Sequence, residues 1–302
     1  MPNARRRPLI LAPALLVAAC AGGGGPAMPT ATPSATAPSS PSPAASAPPA
    51  GGIEHPTGAT EIVLRYEEGG GFMVPEWTAT QAPIFTLYGD GTVVFRDPAA
   101  QPPADENGLM VHQPFRTARL DEEQMQSLLA FAVNEGGLGV ARDHYELDTV
   151  ADAGTALFTI NAGGRSKQVS VYALGLEDPS AADQLIRTQF KQLADRLQRL
   201  DEGGVVPTSE YQPTAWRVAL IESGGVPTRV VAWPWKDLAP TDFAAADNAG
   251  ASGFPVRVMS AKELAVLDLG DLNGGVQGLY VEAPDGKVYS IGVRPLLPDE
   301  EA

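Results

Sequence analysis

Cysteine is almost missing from this chain: its 302 residues include one, Cys20. An intramolecular disulfide is therefore excluded, as is a zinc site built on several thiolates, and any folded part must hold by packing alone. Histidine is nearly as scarce. His55, His112 and His144 are the three present, and no spacing puts two of them on one helix face as zinc hydrolases require. Basic side chains are also in short supply, with 21 Lys and Arg against 36 Asp and Glu and a formal net charge of −15. Such a surface has too few cations to neutralise phosphates, which argues against nucleic acid and against an anionic lipid surface as direct partners.

Signatures of catalysis are missing as well. The stretch Gly250-Ala251-Ser252-Gly253-Phe254 fails the Gly-x-Ser-x-Gly elbow at its fifth position, and no Gly-x-x-x-x-Gly-Lys-Ser/Thr loop occurs. No cofactor motif stands out.

What is present begins with an export signal. Three arginines at Arg5 to Arg7 precede the apolar run Pro8 to Val17, followed by Ala18-Ala19-Cys20. That order of charged, apolar and small residues is that of a secretory signal, and the apolar run is too short for a stable bilayer span. Val17-Ala18-Ala19-Cys20 resembles the bacterial lipobox, which implies cleavage before Cys20 and lipidation of its thiol. Two acyl chains, such as palmitate, give lasting attachment where one chain gives little. The expectation is an extracytoplasmic protein, lipid-anchored to the cell membrane, or to the outer membrane of a diderm host.

Residues 1–19 are thus read as signal peptide, and their removal leaves 18 basic against 36 acidic side chains. Residues 20–52 hold Gly, Pro, Ala, Ser and Thr with no charge, a composition that cannot bury enough surface to offset ordering entropy. The expectation is a disordered tether with a contour on the order of 100 Å.

The remainder, about 250 residues, suffices for one large or two small cores. Glu61 to Glu67 reads as a strand, and Phe72 to Gln81 as a second extended segment interrupted by Pro75. Pro83 to Tyr88 and Thr92 to Phe95 flank Gly89-Asp90-Gly91 as a hairpin. Asp121 caps a helix with Met125, Leu128, Leu129 and Ala132 on one face, Gln124 returning the bond. Thr155 to Asn161 and Lys167 to Ala173 form another hairpin, and Asp178-Pro179 opens a helix carrying Ile186, Phe190, Leu193 and Leu197. The fold class expected is α+β: an antiparallel sheet with helices packed on one face, built from repeated strand-strand-helix units over residues 53–204. A smaller C-terminal α+β unit is expected over 205–302. It has a linker at Pro207 to Pro213, strands at Ala215 to Ile221 and Thr228 to Val231, and a capping box at Ser260 to Glu263. A hairpin joining Val276–Ala283 to Lys287–Val293 closes it.

From Pro83 to Leu200 the chain resembles a bacterial family of domains of unknown function. The shared pattern is carried by Pro83, Phe85, Asp90-Gly91-Thr92, Asp143, Tyr145, Thr149 and Asp152. The C-terminal third, with Trp233-Pro234 and Arg294-Pro295-Leu296-Leu297-Pro298, is similar to uncharacterised secreted proteins of high-GC bacteria. Neither resemblance implies an activity or site residues.

Two clusters are candidates for a site. Asp143, His144, Glu146, Asp148 and Asp152 are dense enough to ligate Ca²⁺ or a transition metal, although the ordered EF-hand spacing is missing, and a solvated acidic connection explains them as well. Trp233 and Trp235 fit either a stacking platform for a sugar or peptide or the closure of a small core. The function expected is a non-catalytic binding or scaffold lipoprotein, partnered by an envelope protein or cell-wall polymer. The competing reading is a hydrolase of cell-wall or extracellular polymer using two carboxylates, which a concave pocket holding such a pair would favour.

Overall fold

The computed structural model describes residues 51–71, 73–96, 101–176, 182–202, 204, 206–225, 227–245 and 253–300, which fall within one compact unit. The signal sequence, Cys20 and nearly all of the 20–52 tether lie outside them. The fold is α+β, with most strands in two antiparallel sheets and four helices among the described residues.

The first sheet is centred on β1 (Ile62–Gly69), which pairs antiparallel with β2 (Phe85–Tyr88) on one side and β7 (Thr155–Ala162) on the other. β2 turns into β3 (Thr92–Phe95) through Asp90, whose Oδ1 accepts from the Thr92 amide at 2.9 Å. β5 (Arg116–Arg119) and β9 (Thr208–Glu210) extend that edge. Beyond β7 come β8 (Arg165–Tyr172) and, in parallel, the two-residue β6 (His144–Tyr145).

Alternation along β7 buries Ala156, Phe158, Ile160 and Ala162 on one face. The helices α2 (Glu122–Val133) and α3 (Gln184–Gln198) cover this face, setting Leu129, Phe190 and Leu197 against Tyr66 and Phe158 in one core. Each such side chain contributes about 1.5–3 kcal/mol by leaving water. α2 starts where the capping box is predicted: Asp121 Oδ1 accepts from the Gln124 amide at 2.8 Å, and Gln124 Oε1 from the Asp121 amide at 2.9 Å.

The second sheet runs β11 (Val231–Ala232), β14 (Val276–Glu282), β15 (Val288–Pro295), β10 (Trp216–Glu222), β13 (Pro255–Met259), β12 (Ala244–Ala245), and β4 (Met110–Val111) also pairs with β14. Its core gathers Trp216, Trp235, Met259 and Ile291 under α4 (Ala261–Leu264), which Ser260 caps. The first sheet's other face packs through Tyr88, Val94 and Phe115 against Leu297, just past β15.

Several expectations are corrected. The segment expected to be extended contains a short helix, α1 (Pro75–Ala79), because Pro75 stands at its first turn, where a fixed φ helps and no amide is missed. The expected linker at Pro207 to Pro213 holds β9, which satisfies the outer edge of β5. In the first half β4 and β5, which lie in different sheets, separate the β2–β3 hairpin from α2, so within residues 53–204 a hairpin leads directly into a helix at β7, β8 and α3 and the repeat expected earlier in the chain is not seen among the described residues. Strands also cross the expected boundary at 204/205: β4 joins the second sheet and β9 the first. The helix start at Asp178-Pro179 lies outside the described residues.

Candidate functional site: a cavity between the two sheets

Between the sheets lies a cavity of about 450 Å³, walled by apolar side chains that include Met73, Trp77, Ile84, Met110 and Val293. Its size and lining are those of a small-molecule pocket. Polar residues also reach it, among them Arg96, His112, Gln277 and Arg294 from four different parts of the chain.

Arg96 directly follows β3, and its amide continues the ladder by donating to Ile84 O at 2.9 Å. Its guanidinium sits 4.8 Å from the Phe115 ring centroid, and among the described residues it has no carboxylate partner. Burial and then the nearby Arg294 charge push it down to about 10, so it stays cationic at neutral pH.

His112 follows β4 and is held by the second sheet. Its amide donates to Gly275 O at 3.0 Å. The approach is close enough that a Cβ on Gly274 would fall 2.0 Å from His112 O, and one on Gly278, at φ +79°, would fall 2.1 Å from Gly108 O. These two glycines let the 108–113 segment lie against β14. The Nδ1 atom is 3.1 Å from Gln101 Oε1, an acceptor that also receives the Gln113 amide, so Nδ1 carries the proton. The lone pair of Nε2 is then free, and this atom is buried without a hydrogen-bond partner. Burial and the Arg96 charge push the imidazole down to about 4, against a smaller opposing influence of Gln277, which keeps it neutral at pH 7.

Gln277, buried on β14, donates through Nε2 to the Thr80 hydroxyl, and Thr80 donates to Glu76 O at 2.8 Å at the end of α1. Its Oε1 atom completes no hydrogen bond, although Gln277 stands near enough to His112 to oppose the lowering of that imidazole. Arg294 on β15 makes a two-pronged contact with Glu300, 2.7 and 2.5 Å long, yet its Nε is likewise unpartnered. Three unpaired buried polar atoms around one cavity are unusual, since each costs about 1–3 kcal/mol in a folded protein. Glu68 also lines the cavity, but its carboxylate accepts from Tyr66, whose ring belongs to the helix-side core.

A second cavity, of about 640 Å³, shares Glu68, Gln81 and Arg294 with the first and holds Arg65, Glu67, Arg217 and Glu300. Burial raises Glu67 above the usual carboxylate range. Burial works the same way on Glu300, but the Arg294 hydrogen bonds and charge outweigh it and hold Glu300 low. Arg65 donates to Asp299 at 2.7 Å, and Tyr88 donates to the same oxygen at 2.6 Å, so residues at the end of the described chain tie β1 and β2 to β15.

The residues singled out from sequence lie elsewhere. His144 pairs with Glu146, Asp143 stands 3.4 Å from Lys167 Nζ, and Asp148 and Asp152 are exposed, Asp152 with φ +56°. No group of three or more metal-ligating side chains converges among the described residues. Trp235 is buried and Trp233 half-buried, and each indole donates to a backbone carbonyl, Glu263 O at 2.9 Å and Leu238 O at 2.7 Å. With Phe243 they close the second core and form no exposed platform. Cys20 lies outside the described residues. The polar residues of the cavity carry no sequence motif. The one available signal is that His112 and Arg96 flank a Pro-rich segment between strands.

Fold and cavity together define a class, a two-sheet α+β protein with a pocket between its sheets. Comparison with family models, curated proteins and solved structures finds no match for the chain.

Proposed function

We propose that this chain is an extracytoplasmic lipoprotein, anchored through lipid on Cys20, whose folded part is a non-catalytic binding protein taking a small ligand in the cavity between its sheets. The observation that supports this reading is the apolar cavity of about 450 Å³ with three unpartnered buried polar atoms on its wall. Binding sites combine such walls with a few polar groups that fix orientation. The order arginines, apolar run, Val17-Ala18-Ala19-Cys20 supports the anchor.

A carboxylate hydrolase is the second reading, favoured by Glu67 and Glu300 sharing a cavity with their ionisation pushed apart. Against it, Glu300 is already engaged by Arg294, by the Leu297 amide at 3.0 Å and by Arg217 at 3.6 Å, which leaves it a structural anion.

Two measurements test the proposal. Cys20→Ala should release the protein from membranes, and its retention there after a high-salt wash would refute the anchor. With the whole chain carrying Cys20→Ala, the neutral dye N-phenyl-1-naphthylamine should show saturable one-site fluorescence that Met110→Trp, which fills the cavity, removes. Unsaturable fluorescence, or binding unchanged in a folded Met110→Trp protein, would refute the pocket.

A further inference from the structure

We propose that the cavity between the sheets selects a singly charged carboxylate with an apolar body, its head held by Arg96 and by the Nε–H of Arg294. This rests on reading the cavity as a ligand site and goes on to say what enters it.

One cation of the cavity wall, Arg96, is left without an ion-pair partner among the described residues. Where the two cavities meet, four guanidinium groups, Arg65, Arg96, Arg217 and Arg294, stand among four carboxylates, Glu67, Glu68, Asp299 and Glu300. The side-chain bonds of those carboxylates run to Arg65, Arg217, Arg294, Tyr66 and Tyr88, and none reaches Arg96. Among the described residues the Arg96 guanidinium is recorded against the face of Phe115 alone, which leaves its donors for the cavity side. A guanidinium left in apolar surroundings without a counter-anion is costly, and a ligand carboxylate supplies that anion with matching planar geometry.

The other polar groups restrict the anion to one charge. His112 Nε2 and Gln277 Oε1 both present lone pairs, and neither has a protein donor. Lone pairs repel a second negative charge, so a phosphate dianion would bring two charges to one unpaired guanidinium with two acceptors beside it. A monocarboxylate leaves those acceptors to neutral donors such as a hydroxyl. Met73, Trp77, Ile84 and Met110 then receive the apolar part.

The test is calorimetric titration of the whole chain carrying Cys20→Ala, so that no acyl group of its own competes, with octanoate, octanol and octylamine as probes of one length and three charges. Octanoate should bind at one site, about tenfold or more tighter than octanol, with octylamine weakest. Arg96→Met should abolish the preference for octanoate over octanol, while Arg96→Lys, which keeps the charge, should retain part of it. Melting curves establish that each variant folds. If octanol or octylamine saturates the site and octanoate binds no tighter, the anion inference falls while the pocket stands. If none of the three binds, the pocket reading falls with it. If octanoate is preferred equally in a folded Arg96→Met protein, Arg96 is not the head-group partner and the inference is overturned.

Discussion

Between Asp143 and Asp152 four carboxylates and a histidine stand within ten consecutive residues, and the fold spends them on local pairs and solvent. Around the cavity, Arg96, His112, Gln277 and Arg294 are spread over nearly two hundred positions, and the two sheets bring them together. Density along the chain therefore marks a connection, while the convergent site is assembled across sheets. The reason is dielectric. Charges in a solvated loop lose little by standing alone, whereas polar groups between two sheets are kept only where something compensates their desolvation.

The largest effect that would sharpen this contrast is expected at Arg294. Replacing it with Met leaves Glu300 low in solvent exposure and without its main counter-charge, which should cost about 3–5 kcal/mol. For a fold of this size that is a fall in Tm of roughly 10 °C, measurable in any thermal scan. Restoring neutrality with Glu300→Gln in the same protein should recover part of the loss. A double variant no more stable than the single one would show that Arg294 acts through packing alone.

A smaller effect is expected from His112. Its folded value, about 4, lies below the ordinary histidine value, so the unfolded chain takes up a proton near pH 6.5 that the folded one refuses. The neutral imidazole's contribution is present in full above pH 6.5 and is lost as pH falls toward 4. Allowing for partial screening, about 2 kcal/mol should disappear over that window. Denaturant titrations at pH 7.0 and 4.5 should show His112→Gln losing less stability on acidification than the parent protein. Equal losses would place the imidazole in a solvated environment and weaken the case for a dry cavity.

The smallest effect belongs to the acidic connection. Adding Ca²⁺ or Zn²⁺ should leave the melting temperature unchanged, and Asp148→Asn with Asp152→Asn should shift stability by no more than about 0.5 kcal/mol. A metal held at a hundredfold over its Kd would instead add about 2.7 kcal/mol. A saturable rise that the double variant removes would reverse the comparison and make this connection the site.

Local features were legible in the sequence because they depend on neighbours along the chain. The Asp121–Gln124 and Ser260–Glu263 caps, the hairpin at Asp90-Gly91 and the face Phe190-Leu193-Leu197 all stand where spacing puts them. Trp233 and Trp235 were legible only as a choice between core and platform, because exposure is a property of the packed molecule. Short strands escaped: Met110–Val111 and Thr208–Glu210 have too few residues for a period, and they are strands because β14 and β5 offer free edges.

By itself, then, the sequence determined the α+β class, the principal hairpins, the helix starts at Asp121 and Ser260, and the scarcity of thiols and imidazoles that limits chemistry. Tertiary structure alone decided that two sheets trade strands across the middle of the chain, and that the 108–113 segment lies against glycines 274 and 278. It also decided that Arg96, His112, Gln277 and Arg294 line one cavity. Propensity and capping act within a few residues and leave a record in local order. Unpaired charge and buried lone pairs become visible only when distant segments remove water from around them.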